Sequence, residues 1–456
     1  MLPQDFLKRM EEMLGEEYQA FLDSYENEKY QALRLNPLKG DTTVMKEALP
    51  FSLEPVAWEP NGFYYKNEEH PGKHPYHEAG VYYIQEPSAM APAGYLLVKP
   101  GEKVLDLCAA PGGKSTQLGA ALLGEGLLVC NEIHPARAKI LSENIERMGI
   151  ANALVTNETP QRLSAHFSDY FDKILVDAPC SGEGMFRKNE EACTEWSLSN
   201  VRLCAERQDE ILDCAAGMLA PGGRMVYSTC TFAPAENEGS ISRFLQRHPE
   251  FAIEEVPIYE GMERGRKEWA ECDADGIGYT IRLWPQYLHG EGHYLAVLKK
   301  AGEKLSEGYV ENGQQKTIPA KEAEVFLTFA KETLTHKLPE RYMRFGEQLY
   351  LIPKDMPSIE KLKVVRPGLH LGTMKKNRFE PSHALALSLK PNETVHVCEL
   401  NIDEPQIKAY LRGETFFYEG EKGWYLITVN GYSIGWGKLA GGVMKNHYPK
   451  GLRKNW

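Results

Sequence analysis

Several things are scarce in this chain of 456 residues, and each scarcity excludes something. No apolar run approaches the roughly 20 residues of a membrane-crossing helix, so none is expected. The opening Met-Leu-Pro-Gln-Asp-Phe lacks the basic start and short apolar stretch of a secretory leader. The 9 cysteines are odd in number and form no C-x-x-C pair, which argues against a disulfide framework and a zinc site. Reduced thiols, a cytoplasmic location and no metal are therefore expected. His70, His74 and His77 are spaced too loosely to change this and read as surface histidines. The G-x-G-x-x-G spacing of dinucleotide-binding turns is absent. So are internal repeats and low-complexity tracts. Excess positive charge is missing too, since the net charge of −12 taken whole disfavours nucleic acid.

The charge is unevenly spread. Residues 301–456 carry 23 basic and 18 acidic side chains, a balance of +5, against −17 in the first 300. From Gly431 onward stand Lys438, Lys445, Lys450, Arg453 and Lys454 with no acidic residue. Such a stretch suits phosphate contacts, and equally a solvated tail. Hydrophobic content of 42% and charged content of 25% are ordinary for a globular protein, and the length calls for two to four domains.

Phe6, Met10, Met13, Leu14, Tyr18, Phe21 and Leu22 recur at helical spacing within residues 1–30. A short strand follows from Ala32 and stops at Pro37. Gly62–Gly80, rich in aromatic, His and Pro residues, reads as an irregular lead-in. A helix begins near Pro87. Strands are then expected at Lys103–Asp106, Leu127–Asn131, Ala153–Thr156, Lys173–Asp177, Arg224–Thr229 and His293–Leu298. Helices fall between them, such as Pro135–Met148 and Arg202–Met218. This alternation marks an α/β, doubly wound sheet. Beyond 300 come a polar linker (Glu303–Lys316), a helix (Ala320–Thr335) and short β-like runs such as Gln348–Ile352, Thr415–Tyr418 and Trp424–Val429.

The chain is organised around Val104-Leu-Asp-Leu-Cys-Ala-Ala-Pro-Gly-Gly-Lys114: strand, glycine turn, helix start. Ligands bind at such strand ends, and glycines let the backbone approach them. Asp106 suits a cation better than a pyrophosphate, and S-adenosylmethionine carries two positive groups. Glu132 ends the second strand, where a carboxylate can accept both ribose hydroxyls. Asn157 ends the third and faces the adenine edge in this reading. Asp177 ends the fourth. Polar residues on successive strand ends of one rim point to a nucleoside-type cofactor.

Cys180 lies just past the fourth strand and Cys230 just past the fifth. Neighbouring strands lie ~4.8 Å apart, so the two thiols can share one cleft. Thiolates add to electron-poor rings. Carbon 5 of cytosine is a poor nucleophile until a thiolate adds at carbon 6, so a thiol pair beside a methyl donor points to methylation at carbon. Either thiol could attack on these grounds, and the Pro179-Cys180 setting by itself favours Cys180.

Asp106-Leu-Cys-Ala-Ala-Pro-Gly-Gly-Lys114, Asp177-Ala-Pro-Cys-Ser-Gly182 and Tyr227-Ser-Thr-Cys-Thr231 with Glu236-Asn-Glu238 closely resemble the NOP/Sun family of RNA cytosine-C5 methyltransferases. Arg34-Leu-Asn36 and Gln85-Glu-Pro-Ser-Ala89 add to the match, which covers about 1–300. The long C-terminal extension and Leu371-Gly-Thr-Met-Lys-Lys-Asn-Arg-Phe-Glu-Pro-Ser-His-Ala384 look most like the bacterial type acting on 16S ribosomal RNA. The resemblance implies a seven-stranded, Rossmann-like methyltransferase core at 72–300 after a small α+β domain at 1–71. It implies a linker and α+β subdomain at 301–390 and a β-rich, PUA-like RNA-binding domain at 391–456. By the same resemblance Cys230 is the nucleophile and Cys180 helps release product. Cys108, Ala109, Ala110, Pro111, Gly112, Gly113, Lys114, Glu132, Asn157 and Asp177 form the S-adenosylmethionine site, and Asp177 also touches the flipped cytosine. Many relatives have an acidic residue where this chain has Asn157. The implied partner is ribosomal RNA or the small ribosomal subunit, with the protein acting as a monomer. Lys173, Arg187 and Lys188, flanking the Asp177 loop, are candidates for substrate phosphates, with Arg34 and Gln85 behind them. A transfer-RNA or DNA cytosine methylase, or an idle RNA-binding assembly factor on the same fold, are the rival readings.

Overall fold

The computed structural model describes residues 2–304 and 306–454. Six strands form the centre of the molecule: β1 (Lys103–Asp106), β2 (Leu127–Asn131), β3 (Ala153–Thr156), β4 (Phe171–Asp177), β5 (Leu219–Thr229) and β6 (His293–Lys300). Their spatial order is β6-β5-β4-β1-β2-β3. The first five run parallel and β6 returns antiparallel to β5. The middles of the strands are apolar because helices cover both faces. One face packs Leu118 of α1 (Gly113–Ala121) and Leu141 and Ile145 of α2 (Pro135–Arg147). The other packs Leu163 of α3 (Pro160–His166), Ile211 and Leu212 of α4 (Leu198–Met218), and Ile241 and Phe244 of α5 (Glu238–Arg247).

The order of the strands reverses at β1: β2 and β3 lie to one side, β4 and β5 to the other. The crevice of an open α/β sheet lies at such a reversal. Here it opens at the ends of β1 and β4, where Asp106 and Asp177 stand.

The whole sheet has ten strands rather than the expected seven. Phe251–Ile253, Met262–Arg264 and Ile281–Leu283 add short antiparallel strands around β6. Val364–Pro367, from far along the chain, pairs antiparallel with β3.

The amino-terminal helical pattern resolves into Gln4–Leu14 and Tyr18–Ser24. Their buried Phe6 and Phe21 pack with Phe186, Phe232 and Trp284 of the central unit. A four-stranded antiparallel sheet follows, ordered Glu54–Pro55, Gly62–Tyr65, Gln31–Leu35, Tyr82–Ile84. The stretch Gly62–Gly80 is thus not the irregular lead-in expected: Phe63 and Tyr65 are buried and hold a strand in place. His74 caps the helical turn Pro75–Glu78 by accepting from Tyr76 N at 3.2 Å. The last strand of this sheet lies beyond the division expected after residue 71.

The region beyond 300 holds helix Glu324–Thr333, a four-stranded sheet spanning Tyr342–Pro381 and a five-stranded sheet between Val397 and Asn446. Helices His383–Ser388 and Pro405–Arg412, absent from the β-like reading, lie among them. The final sheet shares a core with the amino-terminal one: Leu33, Leu35 and Tyr82 cluster with Tyr410, Ile427 and Tyr448. Among the described residues no helix is long and apolar enough to cross a membrane, and no group of three metal-binding side chains is present.

Candidate active site

The turn after β1 is shaped by its glycines. Gly112 has φ +116° and precedes α1, and a Cβ there would press on Leu141 at 3.2 Å. The turn leaves the first N–H groups of α1 facing the crevice end of the sheet. Ala109 N–H donates to Asn131 O at 2.8 Å, tying the turn to β2. From the amino-terminal sheet, buried Arg34 donates to Thr116 Oγ1 at 2.8 Å and to Gln85. These two residues brace α1 rather than face solvent.

Asp106 is fully buried beneath the turn. Ser115 Oγ donates to its Oδ2 at 2.6 Å, and its Oδ1 has no partner. Burial pushes the carboxyl up to about 7, against the pull of the Ser115 bond. Glu132 is also buried; its Oε1 accepts from His134 N at 2.9 Å and its Oε2 lies 3.5 Å from Arg137. Asn157 Nδ2 donates to the carbonyls of Glu132 (2.7 Å) and Ile133 (2.9 Å). Its side chain holds the Glu132 loop and does not line the cleft.

Asp177 ends β4 as a hub. Lys114 Nζ donates to its Oδ2 at 2.8 Å, Ser228 Oγ to its Oδ1 at 2.7 Å, and His293 Nε2 lies 3.7 Å away. Burial alone would raise its carboxyl; the Lys114 ammonium and His293 overcome this and hold it well below the usual carboxylate range. Asp106 and Asp177, on neighbouring strand ends, behave oppositely because burial dominates at Asp106 while Lys114 and His293 together outweigh it at Asp177.

Cys180 Sγ and Cys230 Sγ are 3.4 Å apart. The shared contact with Cys230, then burial, push the Cys180 thiol up. The two loops that carry them are tied together: Gly184 N–H donates to Cys230 O at 2.8 Å. A Cβ on Gly184 would meet that same oxygen at 2.9 Å. Glu183, buried, accepts from Phe232 N at 3.0 Å, Trp196 Nε1 at 2.9 Å and Arg9 Nη2 at 2.6 Å. An arginine from the first helix thereby clamps both cysteine loops. Asn237 follows suit, donating to Thr231 O at 2.9 Å while accepting from Thr229 Oγ1 at 2.6 Å.

One cleft of about 610 Å³ takes its walls from both halves: Cys108, Ala110 and Glu132 on one side, Asp177, Cys180 and Cys230 on the other. Ile133, Pro160 and Ile211 supply apolar walls that the sequence reading overlooked. An isoleucine directly following the strand-end carboxylate Glu132 was the available signal. Lys173 is misplaced in that reading: it pairs with Val104 and Arg224 at the far end of the sheet, 3.9 Å from Glu102. Arg187 is buried and donates to Asn27 O at 2.8 Å and Glu28 O at 3.2 Å. Lys188 lies 3.9 Å from Glu291.

A parallel sheet with a crevice at its reversal, a glycine turn over a buried carboxylate and a second carboxylate on the next strand define the class: a Rossmann-like methyltransferase. The chain belongs to the 16S rRNA methyltransferase RsmB/F family, whose model matches residues 93–299. Residues 2–87 match the N-terminal domain of 16S rRNA methyltransferase RsmF, 328–389 the RsmF first C-terminal domain, and 398–454 the RsmF PUA domain. The chain is 31% identical to the ribosomal RNA small subunit methyltransferase F of Shewanella piezotolerans, covering 93% of this chain and 91% of the relative. It is 30% identical to the protein of that name from Erwinia tasmaniensis, covering 99% and 96%. The structure is similar to a methyltransferase homolog from Pyrococcus horikoshii, with TM-score 0.58, 27% identity, 65% of this chain and 95% of that one. It also shares the fold of NSun6 from the same organism, solved with SFG, at TM-score 0.55, 20% identity, 66% of this chain and 99% of that one.

Proposed function

We propose that this enzyme methylates carbon 5 of a cytidine in small-subunit (16S) ribosomal RNA, with S-adenosylmethionine as donor and a covalent bond from Cys230 to the base. The observation that carries the reading is the 3.4 Å thiol pair opening into the same cleft as Glu132 and the Asp106 turn. The substrate class rests on what these relatives are named for and on the basic C-terminal region, where Lys438 lies over the ring of Trp424.

The residues fit the donor. The unpartnered Asp106 Oδ1 is an acceptor without a donor, Glu132 can take the ribose hydroxyls, and Ile133 and Pro160 offer apolar surface for a purine. When bound there, S-adenosylmethionine supplies an electrophilic methyl group.

The remaining chemistry belongs to the chain. Cys230, as thiolate, adds to C6 of cytosine; the C5=C6 electron pair moves onto C5, which becomes nucleophilic. Asp177, held ionised by Lys114, accepts from the exocyclic amino group; uracil would present an oxygen there and be repelled. After C5 is methylated a general base in the cleft takes its proton, which frees the C5–H electron pair. The C6–S bond then breaks, C5=C6 re-forms, and Cys230 departs as thiolate. Cys180, 3.4 Å from the departing sulfur, is placed to assist this last step. All nine cysteines are free, which suits the reducing cytoplasm.

Tritium transfer to small-subunit RNA, with bisulfite mapping of the product, tests the reading. Cys230→Ala should abolish transfer and covalent adducts, and Cys180→Ala should leave protein trapped on RNA. The reverse pattern would overturn the assignment of the two thiols. Donor binding without transfer to any RNA would instead establish an idle assembly factor.

A further inference from the structure

The thiol pair rests on a group that neither mechanism step uses. Glu236 lies in the turn Pro234–Glu236, six residues past Cys230, and is fully buried. Its backbone is anchored by Tyr227 OH, which donates to Glu236 O at 2.6 Å. Three donors converge on its carboxylate: Ser181 N (2.9 Å) and Gln208 Nε2 (2.8 Å) on Oε2, and Ser181 Oγ (2.5 Å) on Oε1. Gln208 also donates to Pro179 O at 3.0 Å, so the Cys180 loop is gripped on both sides of the cysteine.

Ser181 Oγ also lies 2.8 Å from Thr231 Oγ1. Burial pushes the Glu236 carboxyl up to about 7; in its ionised form it only accepts, and a hydroxyl has one hydrogen. Ser181 therefore gives its hydrogen to Glu236 and accepts from Thr231. Ser181 directly follows Cys180, and Thr231 directly follows Cys230. One ordered chain, Thr231 to Ser181 to Glu236, thus links the residues next to the two sulfurs.

We infer that Glu236 is a positioning residue for the reaction: by orienting the Ser181–Thr231 hydroxyl pair it sets the separation of the Cys180 and Cys230 sulfurs. The inference rests on the thiol chemistry proposed above, but the spacing can be read without that chemistry. A buried carboxylate that merely held the fold together would not tune the thiols selectively. In Glu236→Gln an amide N–H faces a position that needs an acceptor, so the hydroxyl chain must reverse or break.

The test uses the full chain with Glu236→Gln, Thr231→Val and Thr231→Ser. Two quantities are read: kcat and KM for donor and small-subunit RNA, and the rate at which diamide links Cys180 to Cys230. Each linkage passes two electrons and two protons from the thiols to the reagent, and mass spectrometry counts the linked peptide. Glu236→Gln should lower kcat about 30-fold, the scale of a sub-ångström misplacement of reacting groups. Both KM values should stay within about twofold. Thr231→Val should lose about tenfold and Thr231→Ser should recover to within about twofold, since only the hydroxyl is needed. Linking should slow about tenfold in the two damaging variants. Wild-type kcat and linking in Glu236→Gln, lowered kcat with unchanged linking, or a Thr231→Ser no better than Thr231→Val would each overturn the inference. If Glu236→Gln does not fold, the two Thr231 variants decide alone. If the wild-type chain transfers no methyl group, the linking rates still decide the positioning role.

Discussion

The two walls of the cleft are built on opposite plans. On the cofactor wall, polar groups are left wanting: Asp106 Oδ1 has no partner, and Glu132 is met by one backbone N–H and a distant arginine. On the thiol wall three carboxylates are met by donors. Glu183 takes three donors, Asp177 takes a lysine and a serine, and Glu238 pairs with buried Arg282. An unmet acceptor is costly until a ligand arrives, whereas a met one holds its neighbours still. In the proposed reaction the first wall binds the donor and the second aims the thiols.

The contrast can be broken by variants on each side. The largest effect is expected on the thiol wall: Asp177→Asn should lower kcat by about 10³ in single-turnover transfer, because the negative charge facing the base's exocyclic amino group is lost. Trp284, stacked on Phe232 at 5.1 Å just beyond Cys230, is fully buried in the aromatic cluster under that wall. Trp284→Ala should cost about 3–5 kcal/mol in denaturant unfolding. On the other wall Glu132→Ala should weaken S-adenosylmethionine binding by about 1–3 kcal/mol in calorimetry, with kcat at saturation nearly unchanged. A kcat loss matching that of Asp177→Asn would erase the distinction between the walls.

The last effect is in pH dependence and needs no substrate. The Asp106 carboxyl is raised from 3.8 to about 7 by burial. Below about pH 4 both folded and unfolded chains hold its proton; between about 4 and 7 the folded chain holds it more tightly. Stability contributed by this group is therefore lost as pH rises through that window, at up to about 1.4 kcal/mol per pH unit. Asp106→Asn should remove that slope from a series of unfolding curves, and an unchanged slope would show that another group sets it.

How far the sequence reached follows the same division. The strands at Lys103–Asp106, Leu127–Asn131 and Ala153–Thr156 have the expected bounds, because β-branched runs between turn residues are local signals. The strand-end carboxylates could be placed on one rim for the same reason. What braces the thiols could not: Arg9, Glu183 and Gln208 reach their partners across long stretches of chain. Lys173 failed for a simpler reason. Four residues along a strand span about 13 Å, so nearness in sequence to Asp177 put it at the wrong end of the sheet. Gly62–Tyr65 was hidden because its short run of three aromatics shows no alternation and stands beside so many His and Pro residues.

The strand Val364–Pro367 makes the C-terminal region part of the catalytic sheet's own fabric. A chain cut near residue 300 would lose not only its basic surface but the cover over β3. Bare N–H and C=O groups along that margin would offer a template to a second copy. Truncations meant to isolate the methyl-transferring unit would then yield aggregates, and their inactivity would say nothing about RNA recognition.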